Sequence, residues 1–229
     1  MIILGVESSA VSAGAALVKD NKLLSESYLN VGLTHSETLM PLIDSVITSA
    51  KADISDIDVF AVSTGPGSFT GLRIGVGTVK GLAAGAGKET CGVSSLEAMC
   101  MGLCNSKKII CPIMDARRSE VYNALYRWEN GSLKELRAMR ALPLAELLSE
   151  LPEGALFAGD GAAVYRDEII KTLGERAEFA PPQLMYQRAA GVAFAAIGKE
   201  TVPPEKLLPV YIRKPQAERV REEKNNLQG

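Results

Sequence analysis

The stretch that decides the fold runs from residue 59 to residue 85: Val-Phe-Ala-Val-Ser-Thr-Gly-Pro-Gly-Ser-Phe-Thr-Gly-Leu-Arg-Ile-Gly-Val-Gly-Thr-Val-Lys-Gly-Leu-Ala-Ala-Gly. A short apolar run breaks at Gly65-Pro66-Gly67 and resumes with Arg73 and Lys80 as its only charges, which reads as strand, glycine-rich turn and buried helix. Gly71 and Gly75 are four apart, and so are Gly77, Gly81 and Gly85. Each glycine inside a helix costs about 1 kcal/mol relative to alanine, so close backbone approach has to offset them. Leu72, Val76, Val79 and Ala83 make an apolar stripe, while Arg73 and Lys80 share another face; such a helix belongs in a core or against a partner. Two charges in so short a run argue against a membrane span.

Upstream, residues 2–6 form a continuous apolar run and hence a central strand, and residues 13–18 and 23–29 continue it as a meander around Asp20-Asn21. Glu7-Ser8-Ser9 at the end of the first strand offers a carboxylate and small hydroxyls for a metal-bound phosphate, or simply an Asx/Ser-type turn. Thr34-His35-Ser36-Glu37 fits a capping box that opens a helix to about residue 52, with Pro41 as a kink and Leu39, Met40, Ile43, Val46, Ile47 and Ala50 as its apolar face. His35, the single histidine, reads as a structural hydrogen-bonder rather than a base. A strand at 90–93, a helix from Ser94-Ser95 through Cys104 and a polar break at 105–108 close the first unit.

The pattern then repeats at an offset of about 108 residues, which sets Asp115 opposite Glu7. Residues 109–115 match the first strand and 121–126 the second, with Glu129-Asn130-Gly131 as the turn. Helices at 143–151, 162–173 and 186–199 and strands at 156–161 and 177–180 follow. The expectation is an α/β fold of two lobes from a duplicated βββαβα unit: lobe I over 1–106, lobe II over 107–190, and a segment 191–229 that packs back towards lobe I and ends in a partly frayed tail. Pro203-Pro204 is a stiff linker and 207–213 an ordered docking segment.

At 229 residues with 47% hydrophobic composition the chain buries a good core, and its 25 basic against 27 acidic residues lack the excess that phosphate-backbone binding uses. No charged-then-apolar leader and no apolar run of membrane length stands out, so a soluble cytoplasmic protein is expected. Cys91, Cys100, Cys104 and Cys111 read as reduced core thiols, and with one histidine in the chain no metal site is expected.

Residues 3–9, 35–43, Ser63-Thr64-Gly65-Pro66-Gly67-Ser68-Phe69-Thr70-Gly71-Leu72-Arg73 and Asp115-Ala116-Arg117-Arg118-Ser119-Glu120-Val121-Tyr122 together resemble the TsaB (YeaZ) family, and 209–213 fits that family's C-terminal end. The resemblance implies the actin-like ATPase fold of two ribonuclease-H-like lobes, and a role in making threonylcarbamoyladenosine at position 37 of tRNA. In that family the paralogue TsaD transfers the threonylcarbamoyl group, TsaB pairs with TsaD or forms a homodimer, and TsaE joins as an ATPase. The TsaD pattern carries two metal-binding histidines after the glycine-rich helix, where this chain has Ser95 and Met99; a hydroxyl and a thioether cannot replace imidazoles. The family's first turn usually reads Asp-Thr-Ser, against Glu7-Ser8-Ser9 here, and Asp115 is followed by Ala116-Arg117-Arg118 instead of a close glycine.

The resulting expectation is a non-catalytic partner of TsaD. Its contact surface would be Leu39, Met40, Ile43 and Ile47 of one helix with Leu72, Arg73, Gly75, Val76 and Lys80 of the next. Glu7, Ser8, Ser9 and Asp115 would form a vestigial nucleotide turn with no tightly bound cofactor, ATP or ADP being confined to the joint with TsaD. Contact with tRNA would come only through the complex. Two alternatives stand beside it: an autonomous Mg-ATP-dependent phosphotransferase or ATPase using Glu7 and Asp115, and a tRNA-binding module using Arg117, Arg118 and Arg213.

Overall fold

The computed structural model describes residues 1–213; the expected frayed tail at 214–229 lies outside them. Strands β1 (Ile2–Glu7), β2 (Ala13–Lys19), β3 (Lys22–Leu29), β4 (Val59–Gly65) and β5 (Glu89–Ser94) form one sheet in the order β3-β2-β1-β4-β5. Strands β6 (Ile110–Asp115), β7 (Glu120–Glu129), β8 (Ser132–Pro143), β9 (Ala155–Ala158) and β10 (Ala177–Phe179) form the other, in the order β10-β9-β6-β7-β8. Read from the meander side, the second order is the first with five added to each strand. The duplication is therefore one of topology: in each half the first strand pairs antiparallel with the second and parallel with the fourth.

Local chemistry explains both meanders. Asp20 and Asn21 adopt φ of 48° and 65°, and Asn130 and Gly131 adopt 51° and 76°, the left-handed pair that a tight hairpin matching strand twist requires. β1 and β4 lie mid-sheet and are apolar almost throughout because both of their faces are covered.

Helices α1 (His35–Ser49) and α2 (Phe69–Ala86) cover one face of the first sheet, where Leu4, Val6, Phe60 and Val62 meet Leu39, Ile43, Val46, Val76, Val79 and Ala83. The opposite face receives α7 (Ala189–Ala195), whose Val192 and Ala193 pack with Ile3, Ala61 and Val93. Between the lobes runs α3 (Ser95–Cys100). Although α3 falls within the first 106 residues, its Leu96, Met99 and Cys100 sit in the core of the second sheet, with α4 (Leu144–Ser149), α5 (Asp160–Val164) and α6 (Arg166–Leu173) around it.

Several local expectations change. Thr34 stands at the start of α1, but its side chain makes no capping bond; its carbonyl instead accepts from the backbone N–H of Glu37 and Thr38 and from Thr38 Oγ1. Pro41 is carried inside the helix. The helix expected over 162–173 is two, α5 and α6, and the one expected over 186–199 is the shorter α7. Cys91, Cys100 and Cys111 are buried, whereas Cys104 is exposed. No helix among the described residues is long and apolar enough to cross a membrane.

Candidate functional site

The two sheets face one another across a cleft of about 440 Å³ lined by the turn after β1, the Gly-Pro-Gly turn after β4, the turn after β6, the start of α5 and the segment 210–213. In this architecture the cleft is where strand ends and turns converge, so it is the place to look for chemistry.

On the first-lobe side, Glu7 is fully buried and its Oε1 accepts from the Ser9 backbone N–H at 2.6 Å and from Ser63 Oγ at 2.9 Å. Burial pushes its carboxyl above the ordinary 4.5, against hydrogen bonds from Ser9, Ser63 and Ser8 that pull it down. Its Oε2 is buried without a partner, as is Ser9 Oγ. The Gly-Pro-Gly turn closes directly onto this corner: Ser68 N donates to Ser9 O at 2.7 Å, and a Cβ on Gly67 would lie 2.3 Å from that oxygen. Ser68 also caps α2, its Oγ accepting from Gly71 N at 3.2 Å. His35 Nε2 donates to Ala10 O at 2.7 Å, pinning the start of α1 to the same turn.

On the second-lobe side, Asp115 Oδ1 accepts from Arg117 N at 2.8 Å and from the Tyr165 hydroxyl at 2.9 Å. Its own N–H donates to Asp160 Oδ2 at 3.3 Å, and Gln187 Nε2 donates to Asp160 Oδ1 at 2.7 Å. Burial pushes Asp160 up and Tyr165 up to about 12. Ser12 Oγ then donates to Gln187 O at 3.1 Å, joining the lobes at the cleft floor. Asp160, Tyr165 and Gln187 escaped the sequence reading as site residues. The signal for Asp160 was its place one residue after Gly159 at the end of β9, the topological counterpart of the Gly65 turn.

Three backbone donors at this corner are already engaged within the chain. Phosphate turns work by leaving consecutive backbone N–H groups free around a concavity. Here the N–H groups of Ser9, Asp115 and Arg117 are already taken, each by a carboxylate of the chain itself. Ser9 and Asp115 line the cleft, while Glu7 and Ser8 are buried behind it, Ser8 Oγ donating to Gly71 O. Ser95 and Met99, which the resemblance sets against the TsaD histidines, are buried in α3. Among the described residues no three His, Cys, Asp or Glu side chains converge as metal ligands do.

The expected contact surface is corrected by burial. Leu39, Ile43, Leu72 and Val76 belong to the first-lobe core, and Gly75 faces inward, where a Cβ would lie 2.2 Å from Ser8 Oγ. Arg73 and Lys80 point outward but are engaged: Arg73 stacks on Phe69 and donates to Tyr211, and Lys80 donates to Glu205 O and Leu207 O. Met40 is 46% exposed and Ile47 half-buried. What α2 does present is its other glycine row: Gly77, Gly81 and Gly85, with Ala84 beside them, are exposed, and a Cβ on any of the three glycines would touch nothing. The basic trio proposed for tRNA is also engaged, Arg117 with Asp115 and Arg213 with Glu120, and Arg118 has a partner as well.

Two ribonuclease-H-like lobes closing on a cleft define the actin-like ATPase class, and component A of the (R)-2-hydroxyglutaryl-CoA dehydratase of Acidaminococcus fermentans shares that fold at a TM-score of 0.52 and 14% identity, over 86% of this chain and 97% of that one. The family model described as TsaD, tRNA N6-adenosine threonylcarbamoyltransferase, matches residues 30–219. The protein named tRNA threonylcarbamoyladenosine biosynthesis protein TsaB from Bacillus subtilis is 31% identical over 95% of this chain and 96% of its own length, and the one from Escherichia coli 36% identical over 57% and 58%. YeaZ from Pseudomonas aeruginosa superposes with a TM-score of 0.73 at 25% identity, over 92% of this chain and 99% of that one. The chain belongs to the family that this model describes and, within it, to TsaB, the tRNA threonylcarbamoyladenosine biosynthesis proteins.

Proposed function

We propose that the protein acts in threonylcarbamoyladenosine synthesis as a non-catalytic partner that holds TsaD in its working arrangement. The observation that supports this reading best is the corner of the cleft where the N–H groups of Ser9, Asp115 and Arg117 are spent on the chain's own carboxyl groups. With Ser95 and Met99 at the histidine positions, the residues that would carry transfer chemistry are lacking. Contact with TsaD is assigned to the outward faces of α1 and α2, through Met40 and the open row Gly77, Gly81 and Gly85, where a partner helix can approach closely. The same faces serve a homodimer when TsaD is absent, TsaE joins the assembled pair, and nucleotide and tRNA meet this chain only through the complex. Membership of the TsaB family supports the pathway, and the geometry supports the division of labour.

Calorimetric titration of the isolated chain with Mg-ATP, beside co-purification with TsaD, tests the reading. It expects no nucleotide binding by the chain alone and a stable pair with TsaD; micromolar binding with turnover would transfer the role to an autonomous ATPase.

A further inference from the structure

Residues 202–213 run from the outer edge of the first lobe to the lip of the second. Val202 exchanges two backbone hydrogen bonds of 2.8 Å with Thr90 of edge strand β5, and Leu207 is buried in the first-lobe core. Lys80 Nζ holds the carbonyls of Glu205 and Leu207 at 3.2 and 3.1 Å. Val210 N donates to Thr64 O at 2.8 Å, and Val210 O occupies the space a side chain on Gly65 would need, 2.4 Å from its Cβ position. Tyr211 stacks on Phe69 with centroids 4.9 Å apart, and Arg73 Nε donates to the Tyr211 hydroxyl at 3.3 Å. Up to this point every anchor is in the first lobe.

Arg213 then crosses. Its guanidinium pairs with Glu120, and Nη1 donates to Ala116 O at 3.4 Å. Those two residues flank the turn after β6, in which Arg117, Arg118 and Ser119 all adopt left-handed φ, 66°, 57° and 59°, without a glycine. One side chain thus grips both ends of the most strained turn at the cleft.

We propose that the strap 202–213 is a latch that sets the opening between the lobes, with the Arg213–Glu120 pair as its release point. The first-lobe half is held by backbone bonds, a buried leucine and a ring stack, whereas the second-lobe half rests, among the described residues, on the Arg213 side chain alone, through its ion pair with Glu120, 17% and 28% exposed, and a long hydrogen bond to Ala116 O. Freeing that pair lets the second lobe turn on the two remaining chain crossings among the described residues, α3 and residues 181–188, and widens the cleft.

The test uses the full chain with Cys104→Ser and nitroxide labels on cysteines replacing exposed Ser36 and Lys134, one on each lobe; the other native thiols are buried. Distances between labels are measured by pulsed electron resonance for the parent, Glu120→Arg, Arg213→Glu and the double swap. The latch predicts a longer and broader distribution in each single variant and recovery of the parent's in the swap, with amide protection at Val210 kept in all of them because that anchor belongs to the first lobe. If a single reversal does not fold, Arg213→Gln, which leaves Glu120 solvated, is read in its place. Folded variants with the parent's distribution, or a swap as broad as the singles, overturn the latch.

Discussion

Glu7 places a carboxyl in a fully buried corner, where the Ser9 N–H and the Ser63 hydroxyl donate to only one of its oxygens. Burial is the largest influence on it and raises its folded value above the unfolded 4.5. The sign follows directly: between those two values the folded protein holds a proton that the unfolded chain releases, so this group's share of stability is complete below 4.5 and is lost as pH rises through the folded value. Glu7→Gln keeps an oxygen for Ser9 N and Ser63 Oγ and removes the titration. Denaturant unfolding of both proteins across this range should show the variant gaining on the parent with rising pH, by up to about 1.4 kcal/mol per pH unit inside the window; a constant gap would mean that Glu7 is not held protonated. Gly71 makes the same corner equally intolerant of bulk, because a Cβ there would lie 2.1 Å from Ser8 O. Gly71→Ala should therefore cost about 2 to 3 kcal/mol in the same assay despite alanine's better helix propensity.

Helix α2 carries two glycine rows with opposite duties. At 100° per residue, the step from Gly75 to Gly77 turns the helix by about 200°, so those two glycines lie on opposite sides, while Gly81 and Gly85 drift by about 40° at each further step. That the chain carries two separate glycine spacings was legible in the sequence alone. Which row faces the core was not, because it depends on where Ser8 and His35 sit, and those contacts join residues more than thirty positions apart in the chain. The same gap explains why Leu72, Val76 and Gly75 were read as partner-facing: an apolar stripe predicts burial but does not say against what. Gly81→Ala, on the open row, should raise the stability of the isolated chain by up to about 1 kcal/mol, measured by thermal or denaturant unfolding. Gly81→Leu should leave the chain folded and abolish co-purification with TsaD; retention of TsaD would remove the row from the interface.

At the scale of the molecule, the duplicated strand order was readable because hairpin turns and buried strands are local features: Asp20-Asn21 and Asn130-Gly131 mark both meanders without any long-range information. The cleft was half readable. Glu7 and Asp115 end β1 and β6, the equivalent strands of the two halves, but Asp160 and Tyr165, which follow β9, and Gln187, which follows β10, join the polar floor through bonds between residues 27 to 50 positions apart. The central claim is that the chain contributes a surface rather than a reaction. Reconstitution of tRNA threonylcarbamoylation from purified TsaD, TsaE and the enzyme that supplies the threonylcarbamoyl adenylate measures it most directly, with this chain added as parent, Asp115→Asn, Gly81→Leu or left out. The prediction is modification with the parent and Asp115→Asn, and little or none with Gly81→Leu or without the chain; full modification in its absence, or loss of it with a folded Asp115→Asn that still binds TsaD, would contradict the account.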